Sequence, residues 1–226
     1  MTATMTFGER LAASPVYRDF RDHAFFAAVG TADLTKEQAA VLIEQWWHPL
    51  HYFPTFLARC VAVLPQIGAK SAIASILNQE AGGGKVDLAH EVIYVDSMDK
   101  CGFDRERVTG TTPYEETAAL VEGYRVASEA HETALGFIFA TENTDLLMVS
   151  SIGKAIERTT GVTDNHWVSI HVEQEPDHVE EAGHALLADF TPEQEDAVIA
   201  AADEMWRLWT AFFDRLAAET GVGTSA

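Results

Sequence analysis

Apolar residues recur three and four positions apart along almost the whole chain, and no stretch alternates apolar with polar as a half-buried strand would. This period points to an all-α fold, and its starts and stops are marked. Thr35-Lys36-Glu37-Gln38 has the form of a capping box opening a long apolar stretch, Ala39 to Leu64. Pro49 and Pro54 lie inside it and predict a kink or break, because proline lacks the N–H that the helix ladder uses. A helix is expected from about Ala69 to Glu80, ended by Gly82-Gly83-Gly84, and another from about Val86 to Cys101-Gly102. Arg105 to Thr112 reads as a loop. Thr112-Pro113-Tyr114-Glu115 starts a helix with proline at its first position, and the period continues through Leu120, Tyr124 and Phe137 to about Ile156. Gly161 is the expected stop, Asp164 or Asn165 the next start, and Trp167 to Leu187 the helix that follows. Thr191-Pro192-Glu193-Gln194 opens a last helix striped by Val198, Ala201, Met205, Leu208 and Phe212. The expectation is one domain over residues 1–226, a bundle of seven to eight helices, frayed from about 221 to 226.

The 35 acidic residues outnumber the 15 basic ones, for a net charge of −20. Such a chain repels phosphate backbones and anionic bilayers, so neither nucleic acid nor membrane is an expected partner. The first thirty residues lack a signal-type apolar run, and a cytoplasmic location is expected. Two cysteines, Cys60 and Cys101, read as reduced buried thiols rather than a disulfide framework or a sulfur-rich metal site.

Three elements can carry chemistry. His171, Glu175 and His178 occupy positions i, i+4 and i+7 of an expected helix, within roughly 60° of one another at 100° per residue. Two imidazoles and a carboxylate on one face suit iron, manganese or zinc. The competing interpretation is a solvated acidic helix, since Glu173, Asp177, Glu180, Glu181 and His184 crowd the same segment. Pro176 inside the motif adds a helix irregularity of the sort found at functional sites. Second, Glu80 and His90 flank the three glycines. In an unbroken helix they would point about 80° apart, but the glycines leave room for both to turn toward one centre. Third, Glu142 follows the apolar run Phe137-Ile138-Phe139-Ala140, where a carboxylate is costly to bury alone; Asp145 is the competing carboxylate one turn on. Glu175-x2-His178 and Glu181-x2-His184 both match the Glu-x-x-His unit of ferritin-like bundles, but both lie on one helix, which disfavours that assembly.

Taken in order, Glu80, His90, Glu142 and His171-x3-Glu175-x2-His178 resemble the ligand set of the haem-oxygenase-like diiron oxidases and oxygenases, fold relatives of thiaminase II and of the pyrroloquinoline quinone synthase type. The resemblance runs from about Asp33 to Phe212. It implies a haem-oxygenase-like bundle holding two Fe ions, with O2 as co-substrate reacting through a peroxo-diferric intermediate. The implied activity is oxidation of a small amino acid or amine metabolite in a specialised pathway, by N-oxygenation or oxidative C–C or C–H cleavage. A homodimer and an external electron donor are compatible with it. The sequence departs from the family at Glu175, where Asp is more usual. It also lacks any acidic residue between Gln45 and Lys70, where N-oxygenating members carry an added carboxylate; His48 or His51 could contribute there instead. The resemblance further implies a substrate pocket between core helices, with Trp46, Trp47, His51, Phe56, Tyr94, Phe137 and Met148 as candidate wall residues, core packing being the competing role of each. The alternatives are a metal-independent enzyme or small-molecule binding protein of the same fold and, less favoured, a ferritin-like iron-binding protein.

Overall fold

In the computed structural model, which describes residues 5–186 and 190–223, three short helices lead the chain: α1 (Phe7–Ala12), α2 (Pro15–Arg21) and α3 (Ala24–Val29). Each has its own side-chain cap, from Thr6, Ser14 and His23, but none reaches two full turns, so none displays an apolar period in sequence. The expected capping box at Thr35 forms. Thr35 Oγ1 accepts from the Gln38 N–H, and the Gln38 side chain accepts from the Thr35 N–H. It opens α4 (Lys36–Val63), which runs unbroken through Pro49 and Pro54. The expected break is therefore absent: Pro49 is buried, and packing around it outweighs the lost ladder bonds.

Next come α5 (Ile67–Glu80), two single 3-10 turns at Gly82–Gly84 and Val86–Leu88, and α6 (His90–Lys100). Residues expected as a loop contain a short helix, α7 (Arg105–Gly110), whose cap Asp104 accepts from the Arg107 N–H at 2.8 Å. The helix expected to start at Pro113 and run to about Ile156 is instead two, α8 (Glu115–Ala127), which Tyr114 precedes as N-cap, and α9 (His131–Thr160). Ala130 is extended between them, and side chains take the freed carbonyls: Ser128 Oγ donates to Arg125 O at 2.7 Å, and Thr133 Oγ1 to Ala127 O at 2.6 Å. Gly161 caps α9 in the left-handed region, Asn165 opens α10 (His166–Ala185), and Thr191 opens α11 (Pro192–Thr220). The expected end at Leu187 lies outside the described residues.

Eleven α-helices, against the expected seven or eight, are present among the described residues, and there is no strand. Helix α9 packs on α11 and α10, while α4 lies against α5, α8 and α9. Trp206, Trp209, Phe212 and Phe213 of α11 fill the centre with Trp46, Phe56, Tyr124 and Trp167. Residues 221–223 are not frayed: Gly221 caps α11 and Val222 is 3% exposed, while residues 224–226 lie outside the described part. Cys60 and Cys101 are free and buried. No helix among the described residues is long and apolar enough to cross a membrane.

Candidate metal centre

Glu80 is the last residue of α5 and His90 the first of α6. Between them Gly82, Gly83 and Gly84 all have φ between +60° and +85°, a run that side chains with a Cβ resist. A Cβ on Gly82 would lie 2.5 Å from the Ala89 nitrogen, so the chain doubles back on itself there and sets His90 Nδ1 3.0 Å from Glu80 Oε1. Glu142 enters from the middle of α9, and α10 supplies His171, Glu175 and His178. Pro176 does not interrupt α10. Its freed carbonyl belongs to Val172, which is exposed and can be met by water.

The six side chains converge as two adjoining groups. Glu80, His90 and His171 form one triad, and Glu142, Glu175 and His178 the other. All six are at most 4% exposed. His178 Nδ1 lies 3.4 Å from Glu142 Oε2, 3.7 Å from Glu175 Oε2 and 3.8 Å from Glu80 Oε1. Glu80 Oε1 therefore faces nitrogens of both triads.

Several of these buried atoms have no hydrogen-bond partner: His90 Nδ1, Glu142 Oε1, Glu175 Oε1 and His178 Nε2. Each such atom costs about 1–3 kcal/mol when left unsatisfied, so a cluster of them is expected only where something else completes it. The tautomers fit a cation. His171 Nδ1 donates to Trp167 O at 2.7 Å, leaving Nε2 with its lone pair free; His90 Nε2 donates to Gln174 Oε1 at 3.1 Å, leaving Nδ1 free. Two imidazoles with one carboxylate suit ferrous iron, and the second triad, with two carboxylates, is a harder site beside it. The donors present therefore fit a pair of iron ions.

Without a metal the cluster is electrostatically frustrated. Burial, with the charges of Asp145 and Glu142 beside it, holds the Glu175 carboxyl well above the usual range, and burial also raises Glu142. Burial lowers His171 to about 4. Burial opposes protonation of His178 as well, but its bond to the Glu142 carboxylate wins and raises it to about 9.

Gln174 is a positioning residue that the sequence analysis did not single out, although it sits between His171 and Glu175 on the same helix. Gln174→Leu removes the acceptor that orients His90. We expect roughly 10- to 100-fold weaker metal binding at the His90 triad, with Gln174→Glu close to wild type. Calorimetric titration of both variants checks this; equal affinity in Gln174→Leu would remove Gln174 from the site.

A cavity of about 30 Å³, with room for roughly two waters, adjoins the donors. Trp46, Leu50 and Phe53 of α4, Tyr124 and Thr141, and Trp209 form its walls, and Glu80, Glu142, Asp145, His171 and Glu175 its floor. Asp145, read in sequence as the competitor of Glu142, is thus beside the site together with it. Of the wall residues expected from sequence, Trp46 lines this cavity and Trp47, His51, Phe56, Tyr94, Phe137 and Met148 do not. Trp47 stacks on His51 at 4.8 Å, and exposed His51 pairs with Glu91 at 2.7 Å. Tyr94 donates to Ile43 O and packs against Trp167, while Phe56 and Phe137 pack around Tyr124. His48 Nε2 is buried without a partner, but neither His48 nor His51 joins a triad.

A helical bundle with imidazole and carboxylate side chains from four helices converging in its core defines a non-haem metal protein. The chain belongs to the iron-containing redox enzyme family, whose profile matches residues 40–210, and it is accordingly an oxidoreductase. It is 26% identical over 170 residues to 4-chloro-allylglycine synthase of Streptantibioticus cattleyicolor; the match covers 73% of this chain and 64% of that relative's length. Among solved structures, a CADD-like protein of unknown function from Nostoc punctiforme aligns with TM-score 0.80 at 16% identity, over 95% of this chain and 98% of that one. A domain with a heme oxygenase-like fold from Shewanella denitrificans gives 0.68 at 23% identity, over 94% and 88%. A TenA homologue from Pyrococcus furiosus gives 0.70 at 12% identity, over 93% and 100%. The fold is haem-oxygenase-like.

Proposed function

We propose that the two triads hold two iron ions and that the chain is an O2-dependent oxidase or oxygenase of a small amino acid or amine. The observation that carries this reading is the pairing of triads, with Glu80 Oε1 turned toward nitrogens of both. Three carboxylates offset three of the four charges of a diferrous pair, and such anionic oxygen donors stabilise the ferric state and so ease the loss of an electron. Bound iron would supply the electrons for reducing O2. The chain's own residues do the rest: Gln174 and the Trp167 carbonyl orient imidazoles, and Trp46, Leu50, Phe53 and Trp209 exclude water from the reacting region. The name of the Streptantibioticus relative, which makes an amino acid, supports an amino acid as substrate. The cavity is lined by carboxylates and by no lysine or arginine, which supports an amine over an anion. Oxidation would proceed by N-oxygenation or by C–C or C–H cleavage, with an external donor returning electrons where the stoichiometry needs them.

Anaerobic Fe(II) titration tests the reading. We expect two equivalents, with less taken up by His171→Ala and Glu142→Ala; no uptake, or undiminished uptake in both variants, would sink it. Binding should also release protons near pH 7, because His178 (raised to about 9) and Glu175 must give theirs up. Affinity therefore rises as pH climbs from 7 toward 9. A binding enthalpy that does not change between buffers of different ionisation enthalpy would contradict this.

A further inference from the structure

Asp145 lies one turn beyond Glu142 on α9 and belongs to neither triad. Its Oδ2 is buried and lies 3.8 Å from His171 Nε2, and its carboxylate pairs with the Glu175 carboxyl. That nitrogen carries the free lone pair, since His171 Nδ1 is committed to the Trp167 carbonyl. Two donors each about 2.1 Å from one ion stand about 3.0 Å apart at a right angle and about 4.2 Å apart in line. A separation of 3.8 Å therefore puts the Asp145 oxygen within coordination reach of an ion held by His171. The same range contains the His90–Glu80 separation of 3.0 Å and the three His178 separations of 3.4, 3.7 and 3.8 Å. The Asp145 carboxylate also adjoins Glu175 of the other triad, so it stands at the seam between the two.

We propose that Asp145 is a seventh protein donor of the centre, binding through Oδ2 the ion that His171 holds. The assignment rests on the two-iron reading above. Charge balance agrees with it: with Asp145 ionised, four carboxylates match the four charges of two divalent ions, whereas six donors leave one charge buried and uncompensated. Asp145 also differs in its setting. Its side chain is 16% exposed and lines the cavity, more open than the six donors of the triads.

Cobalt(II) in place of iron gives a readout independent of turnover, because its visible bands report coordination number and ligand set. Wild type, Asp145→Asn, Asp145→Ala and Asp145→Glu would be titrated, with circular dichroism confirming that each is folded. We expect Asn and Ala to weaken one of the two equivalents by about tenfold or more and to alter its visible spectrum, with Glu restoring much of both. If wild type binds two ions and the Asn and Ala variants match it in affinity and spectrum, the assignment is overturned while the two-metal reading stands. The same holds if only binding of an amine is weakened, which would make Asp145 the partner of the substrate's ammonium group. A wild type that takes up neither cobalt nor iron overturns both.

Discussion

Replacing His178 by alanine is expected to leave a protein that binds one iron instead of two and loses at least about 100-fold in O2-dependent turnover. His178 is the sole nitrogen of its triad, and its Nδ1 lies 3.4–3.8 Å from carboxylates of α5, α9 and α10. Without it, Glu142 and Glu175 face each other in a buried site with no imidazole, a ligand set suited to a harder ion than ferrous iron. The metal-free protein suffers as well. In the wild type, protonated His178 balances the Glu142 carboxylate; in its absence that carboxyl must take up a proton or stay buried and unpaired. Iron per chain, measured after anaerobic loading and desalting, decides the first point and metal-free thermal unfolding the second. Two irons held with wild-type affinity by His178→Ala would show that the triads are wrongly assigned.

The largest effect on stability is expected at Gly136, where α9 passes closest to α11. A Cβ there would meet Val198 O at 2.5 Å, Ala201 Cβ at 2.6 Å and Ala202 N at 2.9 Å. Two of these are backbone atoms and the third is fixed to backbone, so no side chain can swing aside. Gly136→Val should cost about 3 kcal/mol or more, at the upper end for overpacked cores. At a few degrees per kcal/mol in a chain of this length, the melting temperature falls by about 6–12 °C. Gly68→Ala is the control. Nothing lies within 4 Å of its Cβ position, so it should be neutral or slightly stabilising. A Gly136→Val protein that melts with the wild type would mean that α9 and α11 do not approach as described.

The cluster of candidate metal donors was legible in the sequence because coordination demands certain residue types at spacings a helix imposes. His171, Glu175 and His178 share a face on arithmetic alone, and the glycine run gave Glu80 and His90 a way to meet. Glu142 and Asp145 could not be separated by sequence, and both stand at the site. The cavity wall was legible only at Trp46. Trp46 and Trp47 are adjacent, and a rotation of about 100° decides which faces the metal side; Leu42, Ile43 and Leu50 lie three or four residues from Trp46, and Ile43 and Leu50 from Trp47, so nothing local fixes that phase. The short helices α1, α2, α3 and α7 were missed because six or seven residues cannot display a period. Pro49 and Pro54 do not break α4, because whether a proline ends a helix depends on what packs around it, a tertiary fact.

The 30 Å³ cavity has a kinetic consequence. Dioxygen is small enough for such a space, whereas an amino acid is several times larger than the two waters it accommodates. Admission of the organic molecule therefore depends on a minor population of chains in which the α4 wall stands away from Tyr124 and Trp209. The apparent affinity is the intrinsic one scaled by the fraction of open chains. The rate of association should level off at high concentration, at the frequency with which the wall opens. On the proposed function, gas and metabolite would thus approach the same donors under different rules, one by diffusion and the other by waiting.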